Sequence, residues 1–424
     1  KVYNKIISIL KKTKDNNLDV PQLYLWISIA ALSLGKKDQW LNNRIEYINK
    51  QSLITKKLQN KGNNFLIIEP GLILNTIGTI FNLDAWIKSR ILGFQKNYKL
   101  ILPVIPELKN KIINPSMMSY IKPYIEIIED PKKAKYYYSI LDDYKCLYDE
   151  YIPCGGKIVP YAHASGAYVQ SIWDKEGRKP LFELTEEHRE KGEKVLRKMG
   201  LPKGSWFVTC HVREPHYKDK EDFRDSDINS YFEAFKEITK HGGWVIRIGD
   251  KSMKPLPDMP QVIDYAISEH KSDWMDIFLL GAGKFILGTS SGPTTVGYAF
   301  GVPIAMTNNL PTAATYLSKR DLVLPRLMQS LEDGRMLSLI ELMTSPYNIG
   351  VNDGVYKHIN KVRTIPNTSL EIKNLTLEML GRLDGTMKYS QEEELLQEDF
   401  KRKTADKEVM IGFPGFPFQC RIGN

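Results

Sequence analysis

Apolar residues recur at two different spacings along the chain, and the change of spacing divides it into regions. Through residues 1–62 the spacing is helical, as in the run Leu23–Leu34, which predicts a helical N-terminal extension. From residue 63 the apolar residues form short runs bounded by glycine and proline, typical of buried parallel strands, with amphipathic segments between them. This alternation predicts an α/β protein in which strands and helices follow one another.

The predicted strands fall into two series. The first comprises residues 65–68, 99–102 and 124–128, and the second comprises residues 206–212, 244–249, 261–264, 285–287 and 303–306. Two series predict two Rossmann-like domains that face each other across a cleft, one over residues 63–184 and one over residues 185–345. Residues 346–424 are predicted to form C-terminal helices and a tail that pack back on the cleft, and residues 130–180 are expected to be irregular.

One strand–turn–helix unit of the second series has the composition of an anion site. A small-residue turn, Gly288–Pro293, separates strand 285–287 from a helix over residues 294–300. Backbone N–H groups at a helix N-terminus bind anions, and glycine allows the ligand to approach the backbone closely. The candidate ligand-binding residues of this unit are Thr289, Ser290, Ser291, Gly292 and Thr294. An ordinary connection between a strand and a helix is the alternative interpretation.

Polar residues also follow the first two strands of this series, and ligands of open α/β sheets bind beyond the carboxyl ends of the strands. The candidates there are His211, Arg213, Glu214 and Lys218 after the first strand, and Arg247, Gly249 and Asp250 at the second. A guanidinium group matches the geometry of a diphosphate better than an ammonium group does, which favours Arg213 as its partner. A surface salt bridge for Arg213 and a structural role for Arg247 are the alternatives.

Composition limits the kinds of partner. The fraction of charged residues, 26%, is that of an ordinary globular protein, while the net charge of +9 favours anionic partners. The lysines are scattered and accompany no nucleic-acid motif, so nucleic acid is not predicted as a partner. The basic surface is compatible with peripheral contact with the inner face of a membrane, although no apolar run is long enough to cross one. Four cysteines without CxxC spacing fit a reducing cytoplasm.

Motifs of several other enzyme classes are missing. The sequence contains no GxxxxGK[ST], no GxSxG and no HExxH, and no GxGxxG follows its first strand. The segment Asp225-Ser226-Asp227 has the Asp-x-Asp spacing that some sugar transferases use to hold a metal. Because it precedes a helix, Asp227 is better interpreted as an N-cap. Neither a metal nor a cofactor is therefore predicted.

Six segments in a fixed order carry a family resemblance. They are His211–Glu214, Phe223–Ile228, Gly242–Asp250, Val262–Ala266, Ser272–Ile277 and Gly288–Gly292. Together they resemble an uncharacterised bacterial glycosyltransferase family of surface-polysaccharide clusters, over residues 206–303 closely and over 64–93 loosely. More distantly, the layout is similar to His-x-Arg-motif fucosyltransferases and to heptosyltransferases. The resemblance implies a GT-B fold and metal-independent transfer of a sugar from a nucleotide-diphosphate sugar to a hydroxyl acceptor, in surface-glycan or secondary-metabolite synthesis.

The resemblance also implies roles for particular residues. Arg213 would neutralise the leaving diphosphate, and the turn around Ser290–Gly292 would lie near the donor. The acceptor side would be formed by the loop containing Asn75, Thr76, Gly78 and Thr79. The sequence departs from the family pattern at Thr79, where histidine is usual, and at Glu214, where aspartate is usual.

Transfer to a hydroxyl requires a base, and the N-terminal domain should supply it. The first candidate is Asp84, just beyond the acceptor-side loop, and the second is Glu69, at the end of the first strand. Both have the alternative interpretation of a helix cap or a solvated surface carboxylate. Two other functions remain open: a sugar-nucleotide epimerase of the same fold, and a non-catalytic nucleotide-sugar-binding or scaffold protein.

Overall fold

The computed structural model describes residues 21–60, 62–154, 158, 162–214, 224–310, 318–344, 347, 356–357, 360–405 and 421–423. The chain begins there with two helices, α1 (Pro21–Ser33) and α2 (Lys37–Gln59), which form a hairpin around buried Tyr47 and Ile48. The predicted helical extension is confirmed over this part, and residues 1–20 lie outside the described residues.

A parallel three-stranded sheet forms the centre of the N-terminal unit. Its strands are β1 (Phe65–Ile67), β2 (Lys99–Pro103) and β3 (Glu126–Ile128), in that spatial order. The helices are α3 (Gly71–Leu74), α4 (Ile80–Ile91), α5 (Met117–Ile121), α6 (Pro131–Ser139) and α7 (Ala162–Lys175), with 3₁₀ turns at Ile77–Thr79 and Pro106–Lys111. All three predicted strands are confirmed.

The prediction that residues 130–180 are irregular is wrong, because α6 and α7 lie there. Proline occupies the first turn of α6, and the Asp130 side chain accepts a hydrogen bond from the backbone N–H of Lys133. Both are helix-start signals. Tertiary packing supports α7, since a Cβ atom on Gly166 would lie 3.2 Å from atoms of Phe81 and Ala85 in α4.

The C-terminal unit has a larger sheet, of seven parallel strands in the described part of the chain, in the order β12-β9-β8-β7-β4-β5-β6. They are β4 (Phe207–His211), β5 (Trp244–Arg247), β6 (Val262–Asp264), β7 (Ile286–Thr289), β8 (Ile304–Asn309), β9 (Leu322–Pro325) and β12 (Arg421–Ile422). Strands β4 to β9 have the Rossmann order, whose direction of winding reverses between β4 and β7. A separate antiparallel pair comprises β10 (Leu327–Ser330) and β11 (Val362–Ile365).

Helices cover both faces of this sheet. They are α8 (Glu186–Lys198), α9 (Phe232–Lys240), α10 (Asp273–Ala282), α11 (Gly292–Ala299), α12 (Leu339–Leu342), α13 (Ser369–Leu383) and α14 (Gln391–Ala405), with 3₁₀ turns at Ile228–Tyr231 and Tyr265–Ile267. Helices α9 and α13 share one apolar cluster with the strands, and α8, α10 and α11 belong to another.

Helix α13 packs within the C-terminal unit, while the prediction that the C-terminal region packs back on the cleft remains a prediction. Ile372 and Leu375 of α13 are fully buried against α9 and the seven-stranded sheet, so this helix completes the C-terminal unit. Its apolar stripe is wide enough to need such a partner. The apolar tail segment Phe413–Phe418 lies outside the described residues.

The two units are in direct contact. One apolar cluster runs from the N-terminal sheet to the C-terminal sheet, and α11 packs against both α4 and the 3₁₀ turn Ile77–Thr79. The Asn114 amide donates to the carbonyl of Asp273 at 2.9 Å across the same interface. The predicted fold class is confirmed as an α/β protein with two Rossmann-like units of the GT-B type and helices ahead of them; the exact domain boundaries remain predictions.

Candidate functional site

The site lies where the winding of the large sheet reverses, between β4 and β7. These strands are neighbours, with His211 opposite Gly288 in register. A Cβ atom on Gly288 would lie 2.1 Å from the His211 carbonyl oxygen, so only glycine fits at this position. A crevice opens at such a reversal because the connections that leave the two strands run to opposite sides.

Hydrogen bonds join the end of β4 to the turn after β7. The backbone N–H of Arg213 donates to Thr289 Oγ1 at 3.0 Å, and Ser291 Oγ lies 2.8 Å from His211 Nδ1. The Thr294 hydroxyl donates to the Thr289 carbonyl at 2.9 Å and lies 3.1 Å from Ser291 Oγ. The structure therefore brings together five predicted residues and the intervening Ser290 and Gly292, at the N-terminus of α11.

His211 is held neutral in this cluster. Burial, followed by the positive charges of Arg247, Arg213 and Lys271, lowers its pKa to about 4. A neutral imidazole can donate one hydrogen bond and accept another, whereas a charged one can only donate. At neutral pH, His211 is consequently a hydrogen-bonding group rather than a cation.

Arg213 provides a guanidinium group at the crevice. Its Nε atom donates to Asp225 Oδ1 at 3.1 Å, and its side chain is 19% exposed. The Asp-x-Asp segment therefore supplies a partner for Arg213, while Asp227 caps the following helix by accepting from the N–H of Asn229, as predicted.

A second arginine reaches the same segment and was not predicted from the sequence. Arg326 follows β9, and its Nη1 atom donates to the main-chain carbonyl of Asp225 at 2.9 Å. The rule that polar residues at strand ends form sites would have found it, had a strand been predicted over β9.

Arg247 is not available to a donor, which corrects its prediction as a donor-binding residue. Its side chain is 1% exposed and donates to both carboxylate oxygens of Asp264, at 2.9 and 3.1 Å, and to the Glu214 carboxylate. Burial alone lowers the pKa of Arg247, but the hydrogen bonds and charges of Asp264 and Glu214 outweigh it and raise that pKa. Glu214 is likewise committed to this buried network, so neither residue is placed to bind a diphosphate.

Of the remaining donor-side predictions, Asp250 and Gly249 make contacts within their own turn. Asp250 is exposed and accepts from the N–H of Ser252 at 2.9 Å within its own turn. At Gly249, a Cβ atom would lie 2.2 Å from Met253 Sδ, so a larger residue would displace the flexible Met253 side chain. Lys218 lies outside the described residues.

The predicted acceptor-side loop touches the donor-side turn directly. A Cβ atom on Gly78 would lie 3.0 Å from the Cα of Gly292, and one on Gly292 would lie 3.1 Å from Thr76 Oγ1. The hydroxyl of Thr295 lies 2.7 Å from the Gly292 carbonyl and 3.2 Å from the Gly78 carbonyl. Thr295 therefore bridges the two units.

Within this loop, the hydroxyl of Thr79 is used for local structure. It lies 2.8 Å from the Leu72 carbonyl and 2.7 Å from the Thr76 carbonyl, both of which can only accept. Asn75 and Thr76 are exposed beside it. Thr79 thus holds the shape of the loop.

The two predicted bases have opposite surroundings. Asp84 is fully buried, and its Oδ2 atom accepts from Lys88 Nζ at 2.6 Å. Burial raises the pKa of Asp84, and the Lys88 charge opposes this effect. An acceptor hydroxyl cannot reach a carboxylate sealed between helices, so the structure argues against Asp84 as the base.

Glu69 is reachable. Its side chain is 53% exposed and forms an ion pair with Lys145 at 2.9 Å. The Cβ position of Gly71 is 2.8 Å from Asn75 Nδ2 and 3.9 Å from Glu69 Cγ, which places Glu69 beside the acceptor-side loop. The order of the two candidates is therefore reversed.

The described residues offer neither a metal site nor a membrane-spanning helix. No group of three or more His, Cys, Asp and Glu side chains there is arranged to hold a metal ion. Among the described helices, none is both long and apolar enough to cross a bilayer.

Several solved structures are similar to this chain, although sequence comparisons find no match. No protein-family model matches the chain, and no curated protein matches it. A glycosyl transferase of family 9 from Veillonella parvula is 14% identical with a TM-score of 0.28, and the match covers 58% of this chain and 66% of that one, just under two thirds.

Two structures of one further enzyme are also similar. The dodecameric iron-containing heptosyltransferase TibC, in complex with ADP-D-β-D-heptose, is 10% identical with a TM-score of 0.37, over 76% of this chain and 78% of that one. TibC from enterotoxigenic E. coli, described as an iron-containing dodecameric glycosyltransferase, is 12% identical with a TM-score of 0.32, over 57% and 58%. At this level of similarity, function has to be argued from the site itself.

Proposed function

We propose that the chain is a glycosyltransferase that moves a sugar from a nucleotide-diphosphate sugar to a hydroxyl acceptor. The observation that carries the proposal is the position of the Arg213, His211 and Ser291 cluster at the β4–β7 reversal of a Rossmann-ordered sheet. Nucleotides bind at this position in such sheets because a crevice, a helix N-terminus and unpaired backbone N–H groups meet there.

The proposed roles follow from charge. A departing nucleoside diphosphate gains negative charge as the bond to the sugar breaks, and fixed positive groups lower the barrier to that step. Arg213, oriented by Asp225, would bind the diphosphate together with the first N–H groups of α11. His211 and Ser291 would add neutral hydrogen bonds.

The acceptor would bind on the side of the loop that meets α11. In this proposal Glu69 removes the proton from the acceptor hydroxyl, and Lys145 holds its carboxylate in place. Glu69→Gln is expected to lower turnover strongly while leaving donor binding unchanged. Turnover equal to that of the unaltered protein would exclude Glu69 as the base.

Transfer without a metal is part of the proposal, because Arg213 and the helix N-terminus supply the positive charge that a metal ion would otherwise supply. Metal analysis of the purified protein, followed by assays with and without a chelator, tests this point. We expect equal rates; activity that is lost with the chelator and restored by a metal ion would contradict metal independence.

Product analysis separates the alternatives. The protein is incubated with a panel of nucleotide sugars, first alone and then with candidate hydroxyl acceptors, and Arg213→Ala is the test variant. A transferase gives slow hydrolysis or no reaction with donor alone and a glycoside with acceptor, whereas an epimerase isomerises the donor by itself. We expect Arg213→Ala to abolish transfer with an unchanged fold, and normal turnover by that variant would refute the diphosphate role.

A further inference from the structure

A second groove lies at the opposite edge of the N-terminal sheet, where β1, β2 and β3 begin. Its volume is about 630 Å³, within the range of small-molecule sites. The polar residues that line it include Asn64, Arg90, Tyr98, Lys99, Lys122 and Glu126. Because the candidate transferase site adjoins the opposite ends of the strands, this groove is a separate feature.

Arg90 is the most informative residue in the groove. It is half-buried in the last turn of α4, and its Nη1 atom donates to the Tyr98 carbonyl at 2.8 Å. Burial lowers its pKa, yet guanidinium groups stay charged in proteins. In the described part of the chain, no carboxylate forms an ion pair with Arg90, so its half-buried positive charge faces the groove without an ion-pair partner there.

The rest of the groove adds to this positive charge. Lys122 also has no carboxylate partner among the described residues, and Lys99 pairs with the only acidic residue of the lining, Glu126, at 2.6 Å. Three basic side chains, those of Arg90, Lys99 and Lys122, therefore line the groove with one carboxylate, that of Glu126.

We propose that this groove binds a phosphate-bearing group. Phosphate carries charge that would compensate the half-buried guanidinium, and arginine fits its geometry with two parallel hydrogen bonds. The same chemistry is offered by the headgroup of an anionic lipid and by a soluble phosphate compound. The proposal is independent of the transferase reaction.

The test compares two variants with the same change of net charge. Arg90→Gln/Lys122→Glu alters the groove, and Lys203→Glu/Lys240→Gln alters exposed lysines of the C-terminal unit. Lys122→Glu alone is a second groove variant that keeps the bond from Arg90 to Tyr98. Thermal unfolding confirms that each variant is folded.

Two binding measurements distinguish the sources of phosphate. One is co-sedimentation with phosphatidylcholine vesicles that contain or lack phosphatidylglycerol. The other is calorimetric titration with inorganic pyrophosphate, carried out in an Arg213→Ala background so that the candidate donor site does not contribute. We expect the groove variants to weaken one of these interactions at least about fivefold, as the loss of one basic contact does at a membrane surface.

If only the groove variants lose binding to the anionic vesicles, the ligand is a lipid headgroup. If only the groove variants lose binding to pyrophosphate, the ligand is a soluble phosphate compound. The proposal is overturned if the protein binds neither probe, or if the groove and control variants bind both probes equally.

Discussion

Arg213 and Arg247 stand at the ends of neighbouring strands, and their surroundings differ. Arg247 is 1% exposed and lies between two carboxylates, those of Glu214 and Asp264. Arg213 is 19% exposed, and its Nε atom pairs with the Asp225 carboxylate at the reversal of the sheet.

The difference teaches that the exposure of the arginine itself separates a structural role from a binding role. With two acidic partners, the charge of Arg247 is already compensated inside the protein, and removing it would leave buried negative charge behind. Arg213 is partly exposed at the crevice, and in our proposal it binds the diphosphate there. We expect this contrast to affect the stability of the protein, the pH dependence of that stability and the interface between the units.

The largest effect is expected for Arg247→Ala. It should lower the free energy of unfolding by about 3 to 5 kcal/mol, because Glu214 and Asp264 lose a buried counter-charge. Arg213→Ala, the matched control, should lower it by about 1 to 2 kcal/mol, since Arg213 is 19% exposed where Arg247 is 1% exposed. Urea denaturation measures both, and equal losses would remove the distinction between the two arginines.

The same contrast applies to the two carboxylates of the N-terminal unit. Asp84→Asn should cost about 3 kcal/mol of stability, because Lys88 stays buried without its counter-charge. Glu69→Gln should cost less than about 1 kcal/mol, since its ion pair is half exposed. A stable Asp84→Asn protein that has lost transfer alone would restore Asp84 as the base.

Acid should destabilise the protein through His211, which lies close to both arginines. Its folded-state pKa of about 4 is below the ordinary value of 6.5, so the unfolded chain binds more protons between these two pH values. Unfolding free energy should therefore fall as pH drops through this window, by at most about 1.4 kcal/mol per pH unit for one group.

His211→Gln should flatten this fall, and urea denaturation at several pH values measures it. Part of the fall should remain, because burial also lowers the pKa of His163 to about 4. An unchanged slope in the variant would show that His211 is not the group responsible.

The smallest effect is expected at the contact between the units. Thr295→Val removes the hydroxyl that lies between the Gly292 and Gly78 carbonyls, and should cost about 1 kcal/mol. Thr239→Val, whose hydroxyl bonds only within α9, is the control and should change stability by about 0.5 kcal/mol or less. Equal effects of the two substitutions would mean that Thr295 does not join the units.

Part of the site could be predicted from the sequence because parallel strands bring their carboxyl ends to one edge. This rule was enough to bring His211, Arg213 and Ser291 together. It could not tell which arginine is already neutralised, because Asp225 and Asp264 come from other segments of the chain. A helical fold for α7 and the burial of Asp84 also depend on packing between distant helices, which local spacing does not encode.

The contact between the acceptor-side loop and the turn after β7 could not be predicted from the sequence either. Thr295 and Gly78 are 217 positions apart, and the tight space that favours glycine at Gly78 and Gly292 comes from their close approach. Each glycine alone indicates only a turn.

Calorimetric titration of nucleoside diphosphates tests the central claim most directly. The unaltered protein, Arg213→Ala and the control Lys251→Ala, an exposed cation after the neighbouring strand, are titrated with the same panel. We expect at least one nucleoside diphosphate to bind the unaltered protein and Lys251→Ala alike, and to bind Arg213→Ala about tenfold to a hundredfold more weakly, as the loss of a charged hydrogen bond predicts. Equal affinity of all three proteins, or binding by none, would contradict the assignment of this crevice to a nucleotide sugar.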